Sequence, residues 1–167
     1  MQSFGYSLGA VGMRIEELVQ AVGSLNTDDA FHARLDAGQW RTLGAYLTLY
    51  QARPGDLLIK QGDCDRTTYF LGRGTLQVYV EGHHPSVARI AMLRPGSVVG
   101  EAGLFSDQPH SANVEAMTAV TVWALHLPRF EEMIQRVPPI AIEFMRAAGA
   151  VLAARMRANM AMQLAVA

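Results

Sequence analysis

This sequence of 167 residues has few charged residues and almost no net charge. Charged residues make up 17% of the chain, and the formal net charge at pH 7 is −1. A chain so close to neutral provides no general field for DNA, RNA or an anionic membrane surface. Hydrophobic residues make up 50% of it, which argues against intrinsic disorder. Composition therefore predicts one globular domain with a sizeable core and with no nucleic-acid or membrane partner.

The chain is also poor in cysteine and lacks long apolar segments. Cys64 is the single cysteine, which excludes an internal disulfide and fits a reducing cytoplasm. The uncharged runs 147–154 and 158–167 are too short to cross a bilayer. Residues 1–13 have no basic segment before their mildly apolar stretch, so we interpret them as a loose leader rather than a signal peptide. We expect a cytoplasmic protein.

The motifs of several enzyme classes are missing as well. A cupin-like metalloenzyme, which also has a small β-barrel, needs an H-x-H motif with a nearby carboxylate. No such motif occurs among His32, His83, His84, His110 and His126. The segment Gly72-Arg73-Gly74 lacks the third glycine of a dinucleotide loop, and there is no nucleophile elbow. We therefore expect no metal and no enzymatic activity.

Helical periodicity is present at both ends of the chain. Apolar residues recur at helical spacing from Met13 to about Gly23, and Asn26-Thr27 offers an N-cap for a second helix before a third at 39–46. After Pro128 the pattern predicts a helix that ends at Pro138-Pro139, where the last helix begins and continues to about residue 166. That helix is apolar on two faces. We expect one face to cover the β-domain and the other to pack against a second copy of the chain.

Short β-like segments lie between these helices and are separated by turn signals. Such segments, repeated about every 8–12 residues, are typical of antiparallel barrels and sandwiches. The fold prediction is mainly β with flanking helices: an antiparallel β-barrel or jelly roll of about eight strands, a helical N-terminus and two closing C-terminal helices. The predicted strands are 47–52, 57–60, 68–71, 76–81, 88–93, 113–116 and 120–127.

One stretch carries a functional pattern. From Arg94 to Glu115 the chain reads R-P-G-S-V-V-G-E-A-G-L-F-S-D-Q-P-H-S-A-N-V-E, a turn, a Gly-Glu pair, one helical turn, a loop and a strand. This order resembles the phosphate-binding cassette of cyclic nucleotide-binding domains. Further matches, P-G-D at 54–56 and the run 69–79, extend the resemblance over about residues 30–160. It implies a leader at 1–29 and a cyclic nucleotide-binding-like domain at 30–167, with its β-region at about 47–127 and its C-terminal helices at about 128–166.

The resemblance implies a site for cAMP or cGMP as the ligand. Backbone N–H groups at the start of the short turn would point at the phosphate, and the glycines would let the backbone approach it closely. Glu101 would accept hydrogen bonds from the ribose, Arg155 would pair with Glu101, and Asn159 would present its amide to the base. The implied ligand residues are Gly100, Glu101, Ala102, Gly103, His110, Ser111, Ala112, Arg155 and Asn159.

Each of these roles has an ordinary alternative. Glu101 could cap a turn, Ser111 and Asn159 could be plain polar residues, and Arg155 could be a solvated or dimer-face arginine. The family also places an arginine in P-R-[ST/A]-A, where this chain has P-H-S-A at 109–112. An arginine grips phosphate with charge-assisted, often bidentate, hydrogen bonds, whereas a histidine offers one donor and gains charge only near pH 6.5.

Two functions therefore stay open at this point. One is a stand-alone regulatory sensor that binds cAMP or cGMP, more tightly at low pH, and signals through a partner protein. The other is a degenerate domain that has lost nucleotide binding and acts as a dimerisation or assembly module. Bacterial transcription factors of this family carry a winged helix-turn-helix after the long helix, and this sequence stops before one, so we expect no DNA binding.

Overall fold

The computed structural model describes residues 14–82 and 87–166. Residues 1–13 of the predicted leader 1–29 and the predicted hairpin residues 83–85 lie outside these ranges. In chain order the elements are α1 (Ile15–Ser24), α2 (Ala37–Gly44), β1 (Thr48–Ala52), β2 (Leu57–Ile59), β3 (Thr67–Arg73), β4 (Leu76–Glu81), β5 (Val87–Leu93), β6 (Val98–Val99), α3 (Ala102–Phe105), β7 (Asn113–Ala116), β8 (Val120–His126), α4 (Leu127–Arg136) and α5 (Pro138–Val166).

The strands form two four-stranded antiparallel sheets, ordered β1-β8-β3-β6 and β2-β7-β4-β5. The predicted jelly roll of about eight strands with flanking helices is confirmed, although within the described ranges the two sheets do not close into a barrel. Strand β8 is buried on both faces because side chains alternate along it. Val122 and Ala124 pack between the sheets, while Trp123 and Leu125 pack towards the helices.

The layer between the first sheet and the helices contains a cluster of phenylalanines. Phe31 meets Phe70 edge to face with ring centroids 5.0 Å apart, and Phe144 on α5 lies 5.5 Å from Phe31 and 5.5 Å from Phe130 on α4. Aromatic pairs at these distances add to the stabilisation that burial alone provides. The cluster fixes α5 across the sheet, which determines what its later residues can reach.

Segment 26–36 is not helical, so the second predicted helix is wrong. Residues 27–29 form a turn, and the chain then runs without regular structure to Asp36. Asp36 caps α2 by accepting from the N–H of Gln39 at 2.8 Å, and the Gln39 side chain accepts from the Asp36 N–H at 2.9 Å. The irregular path lets Phe31 enter the core, where it is 1% exposed. Tertiary burial has overridden the local helical pattern.

The structure buries one of the apolar faces predicted for α5 and leaves the C-terminal part of the helix exposed. Phe144, Ala148 and Val151 are fully buried, as expected for the face that covers the sheet. Residues 156–164 are all exposed in the chain by itself. No helix among the described residues is both long enough and apolar enough to span a bilayer.

Candidate functional site

A tight turn that requires glycine starts the site. Gly100 follows β6 with φ +77°, and a Cβ atom there would lie 2.4 Å from the carbonyl oxygen of Thr67. Gly103, in the short helix α3, is less restricted but still close to its neighbours, since a Cβ would lie 3.1 Å from the Asp65 carbonyl oxygen. The turn places Glu101 inward, so its side chain is 4% exposed. Ala102, between them, is exposed.

Arg155, on α5, binds the buried Glu101 directly. Its Nη1 donates to Glu101 Oε1 at 2.6 Å, and its Nη2 donates to the carbonyl oxygen of Val98 at 2.8 Å. The pair expected from the sequence is therefore present, with one guanidinium holding both the end of β6 and the glutamate that follows it. An ionised carboxylate this deeply buried requires such a partner, because desolvation strongly disfavours an unpaired charge.

Asp29 is a third member of this network, and no sequence pattern identified it. Arg155 Nε donates to Asp29 Oδ2 at 2.9 Å, across 126 positions of the chain. Burial raises the pKa of Asp29, but the hydrogen bond and charge of Arg155, with a hydrogen bond from Thr27, outweigh it and hold the pKa below its ordinary value. The network therefore joins segment 26–36, the cassette and α5.

His110 lies beside the turn, with its ring already bonded to the backbone. Its Nε2 is 2.6 Å from the carbonyl oxygen of Asp65, so Nε2 is the donor in this contact. The ring Cε1 is 3.4 Å from the position of a Cβ at Gly103, which places the imidazole against α3. In the neutral ring Nδ1 is consequently an acceptor, and only the doubly protonated ring can offer an Nδ1–H to an anion.

Arg66 is a second residue that sequence reasoning missed. Its Nε donates to the Gly103 carbonyl at 2.7 Å, its Nη2 donates to the Leu104 carbonyl at 3.2 Å, and its Nη1 pairs with Asp107 at 2.9 Å. A cation at the carbonyl end of α3 satisfies acceptors that a helix of four residues leaves open. Arg66 therefore positions the cassette from the side of the β2–β3 loop.

The remaining predicted residues are Ser111, Ala112 and Asn159. Ser111 is exposed and Ala112 is half-buried, both at the entry to β7. Asn159 is one helical turn beyond Arg155, in the exposed part of α5. Within residues 14–82 and 87–166, no cluster of three or more His, Cys, Asp or Glu side chains could hold a metal ion.

These observations define a class of protein: a jelly roll closed by helices, with a glycine–glutamate turn whose carboxylate is held by an arginine of the last helix. The particular family follows from the sequence match. The chain belongs to the cyclic nucleotide-binding domain family, whose model matches residues 50–137. Members of this family act as regulatory ligand-binding domains.

Comparison with known proteins gives the same family. The chain is 25% identical over 122 residues to a cGMP-dependent protein kinase of Plasmodium berghei. It is 33% identical over 84 residues to the cAMP-activated global transcriptional regulator of Salmonella typhimurium. The matched regions cover 73% and 50% of this chain but only 14% and 40% of those proteins.

Solved structures show the same fold. A cyclic nucleotide-binding domain from Methylobacillus flagellatus superposes with a TM-score of 0.79 at 19% identity, over 92% of this chain and 84% of that one. The Thermus thermophilus catabolite activator protein superposes with a TM-score of 0.71 at 23% identity, over 81% of this chain and 62% of that one. At these identities the likeness establishes the fold alone.

Proposed function

We propose that this chain is a regulatory sensor domain that binds cAMP or cGMP at residues 100–112 and signals through a partner protein. The observation that carries the proposal is the buried Glu101 held by Arg155 at the glycine turn. A carboxylate fixed in this way is pre-organised to accept hydrogen bonds from a ribose 2′-hydroxyl. The folded protein already holds it in one orientation, so ligand binding costs little further side-chain entropy. In this proposal the domain regulates and does not catalyse.

The phosphate would be held by three kinds of donor. The N–H group of Ala102, at the start of α3, is suited to an anion that approaches the glycine turn. The N–H of Gly103 already donates to the Gly100 carbonyl oxygen at 3.0 Å, so Gly103 would instead line the turn and let the backbone approach the ligand closely. Ser111 would add its hydroxyl or its N–H, and Ala112 would line the site beside it. His110 would contribute Nδ1–H once its ring is protonated, because Nε2 is bonded to Asp65. Asn159 would reach the base edge from α5.

The matched relatives support cAMP or cGMP as the ligand. One is named for dependence on cGMP and the other for activation by cAMP, so the choice between the two nucleotides is left to measurement. The exposed thiol of Cys64 fits a reducing compartment, and we infer a cytoplasmic location. No nucleic acid and no metal is needed for the proposed role.

We further propose a homodimer through the C-terminal part of α5. The large apolar residues Met156, Met160, Met162 and Leu164 are between 58% and 77% exposed in the single chain. Contiguous exposed apolar surface of this kind marks interaction sites, and methionines repack easily. Ligand-dependent rearrangement of this helix would present a changed surface to the effector protein.

Isothermal titration of the purified chain with cAMP and with cGMP tests the proposal. We expect saturable binding of at least one nucleotide and a loss of affinity of about tenfold or more in Glu101→Gln, which keeps the side-chain shape but removes the charge. The matched control is Glu131→Gln, an exposed glutamate of α4, which should bind as the wild type does. Failure of both nucleotides to bind wild-type protein, with His110→Arg gaining tight binding, would instead favour a degenerate assembly module.

A further inference from the structure

A cavity of about 670 Å³ lies next to the cassette, since its lining residue Asp65 accepts a hydrogen bond from His110 through its carbonyl oxygen. It is bordered by β1, β2, β3 and β8, and we call it the β1–β2 cavity. None of the nine predicted ligand residues lines it. Its volume falls within the range of about 300–1,000 Å³ that is typical of small-molecule sites. Its apolar wall includes Ala52, Leu58, Ile59 and Val122.

Four polar side chains on the wall of this cavity form a continuous hydrogen-bonded chain. The Tyr50 hydroxyl is 3.0 Å from Nε2 of His126, and Nδ1 of the same ring is 2.9 Å from Thr67 Oγ1. Thr67 Oγ1 in turn lies 3.0 Å from Asp65 Oδ1. All four residues line the cavity. The proposed nucleotide function uses none of these side chains.

The Asp65 carboxylate, at one end of this hydrogen-bonded series of side chains, sets the direction of every hydrogen bond in the series. An ionised Asp65 only accepts, so Thr67 must donate its single hydroxyl proton to it. The Thr67 oxygen then accepts from Nδ1–H of His126, which leaves Nε2 of the neutral ring to accept from the Tyr50 hydroxyl. Every polar proton of these four side chains is therefore used in a hydrogen bond within the series. This wall therefore has a negative charge and no proton to donate to an anionic ligand.

The charges around the cavity favour a positive ligand. Asp63 and Asp65 supply two carboxylates, against the one ammonium group of Lys60 among the described lining residues. A nucleotide phosphate would be repelled by the same carboxylates. The apolar wall suits the body of a small organic molecule.

We propose that the β1–β2 cavity binds a small organic cation, a primary ammonium group attached to an apolar body. The ammonium group lies beside Asp63 and Asp65, and the body packs against Ala52 and Val122. Desolvation of the body drives binding, and the carboxylates select the charge. The site uses none of the nine predicted nucleotide residues, although it borders the cassette through the Asp65 carbonyl oxygen, which accepts a hydrogen bond from His110.

The proposal is tested by two-dimensional ¹H–¹⁵N NMR titration of the full chain with the 2-phenylethylammonium ion. The matched probes are 2-phenylethanol, which is neutral, and phenylacetate, which is an anion. We expect the ammonium ion to bind with a Kd of about 1 mM or tighter, to shift amides of Ala52 and Thr67, and to bind about tenfold more tightly than the alcohol. Phenylacetate should leave the spectrum unchanged.

Two variants make the test specific. Asp63→Asn and Asp65→Asn should each weaken binding of the ammonium ion by about threefold, because each removes one of the two carboxylate charges that together give the tenfold preference over the alcohol. Glu131→Gln is the matched control and should bind normally. Both residues are exposed, but Asp65 also accepts a hydrogen bond from Thr67, so Asp63→Asn keeps the test valid if Asp65→Asn unfolds. Equal shifts from all three probes, or shifts confined to residues 100–112, would overturn the proposal. It would also be overturned by no shift from the ammonium ion at about ten times the expected Kd, or by unchanged affinity in a folded Asp63→Asn variant.

Discussion

Arg155 Nη1 lies 2.6 Å from Glu101 Oε1, although the two residues are 54 positions apart. The contact joins the C-terminal helix to the turn that follows β6. Because Glu101 is almost completely buried, the guanidinium compensates a charge that water cannot reach. The same arginine also holds Asp29, so any change at the cassette is coupled to α5 and to segment 26–36.

Replacing Arg155 should destabilise the protein far more than replacing an exposed arginine. Arg155→Ala leaves Glu101 buried without a partner and removes the hydrogen bond to Val98, and we expect a loss of roughly 3 kcal/mol in the free energy of unfolding. Urea denaturation at neutral pH measures it. The matched control is Arg157→Ala, two residues further along α5 and exposed, which should change stability by less than about 0.5 kcal/mol. Equal effects of the two substitutions would show that the pair does not support the fold.

Nucleotide affinity should increase as pH falls. Nε2 of His110 is committed to the Asp65 carbonyl, so a phosphate can receive a hydrogen bond from Nδ1 only when the ring is doubly protonated. Titration calorimetry with the better of the two nucleotides should give tighter binding at about pH 5.8 than at about pH 7.8. His110→Gln, which cannot be protonated, should bind with one affinity at both values. A wild-type affinity that does not change with pH would remove His110 from the phosphate site.

A different carboxylate should control stability in acid. Arg146 donates two hydrogen bonds to Glu143, and the Arg34 N–H donates another; these outweigh burial and lower the pKa of Glu143 from 4.5 to about 2. Since the folded-state pKa lies below the unfolded value, the folded protein favours the ionised form. Its contribution is complete above about pH 4.5 and is lost as pH falls to about 2.

Thermal unfolding followed across this acidic range provides the measurement. Glu143→Gln should lower the Tm at neutral pH and flatten the dependence of Tm on pH below about 4.5. Asp29 shifts in the same direction, so some acid sensitivity should persist in the variant. Glu131→Gln is the control and should retain the wild-type profile. If Glu143→Gln loses stability in acid as steeply as the wild type does, the Arg146 contact is not the cause.

The dimer proposal predicts a change in oligomeric state without loss of the fold. Met160→Glu introduces a charge at a position that is 58% exposed in the single chain and would be buried in the dimer. Sedimentation velocity should show a dimer for the wild type and a monomer for the variant, with little change in Tm. Met92→Glu, on β5 and 46% exposed, is the matched control and should stay dimeric. A monomeric wild type would rule out self-association through α5.

Local patterns predicted the β-region well because its signals are local. The strands between residues 47 and 127 show alternation and turn residues, and the structure places β1 to β5, β7 and β8 close to the expected ranges. The two-residue strand β6 was not predicted, since two residues are too few to show a period. Pro128 and Pro138 marked the starts of α4 and α5 correctly, because proline is tolerated at the first turn of a helix.

What the sequence could not show depends on distant contacts. Segment 26–36 has a helical pattern, yet Phe31 packs against Phe70 and Phe144, which are far away in the chain. The same limit applied to the site. Glu101 and Arg155 were found through a family motif, whereas Asp29 and Arg66 act through contacts that span 126 and 37 positions and leave no local signature. Ligand binding by the nine proposed residues remains a prediction.

Segment 26–36 is held by polar groups at two levels of α5, around Glu143 and Arg146 and again at Arg155, and this constrains how the helix can move. Arg146 donates to the His32 carbonyl at 2.6 Å, and Arg155 binds Asp29 nine residues later, which is about 2.5 turns and about 13.5 Å along the axis. The Arg146 and Arg155 side chains leave the helix about half a turn apart. Rotation of α5 about its own axis would therefore move them in opposite directions relative to segment 26–36 and would break at least one of the two contacts. A hinge motion in which segment 26–36 moves together with α5 would keep both contacts.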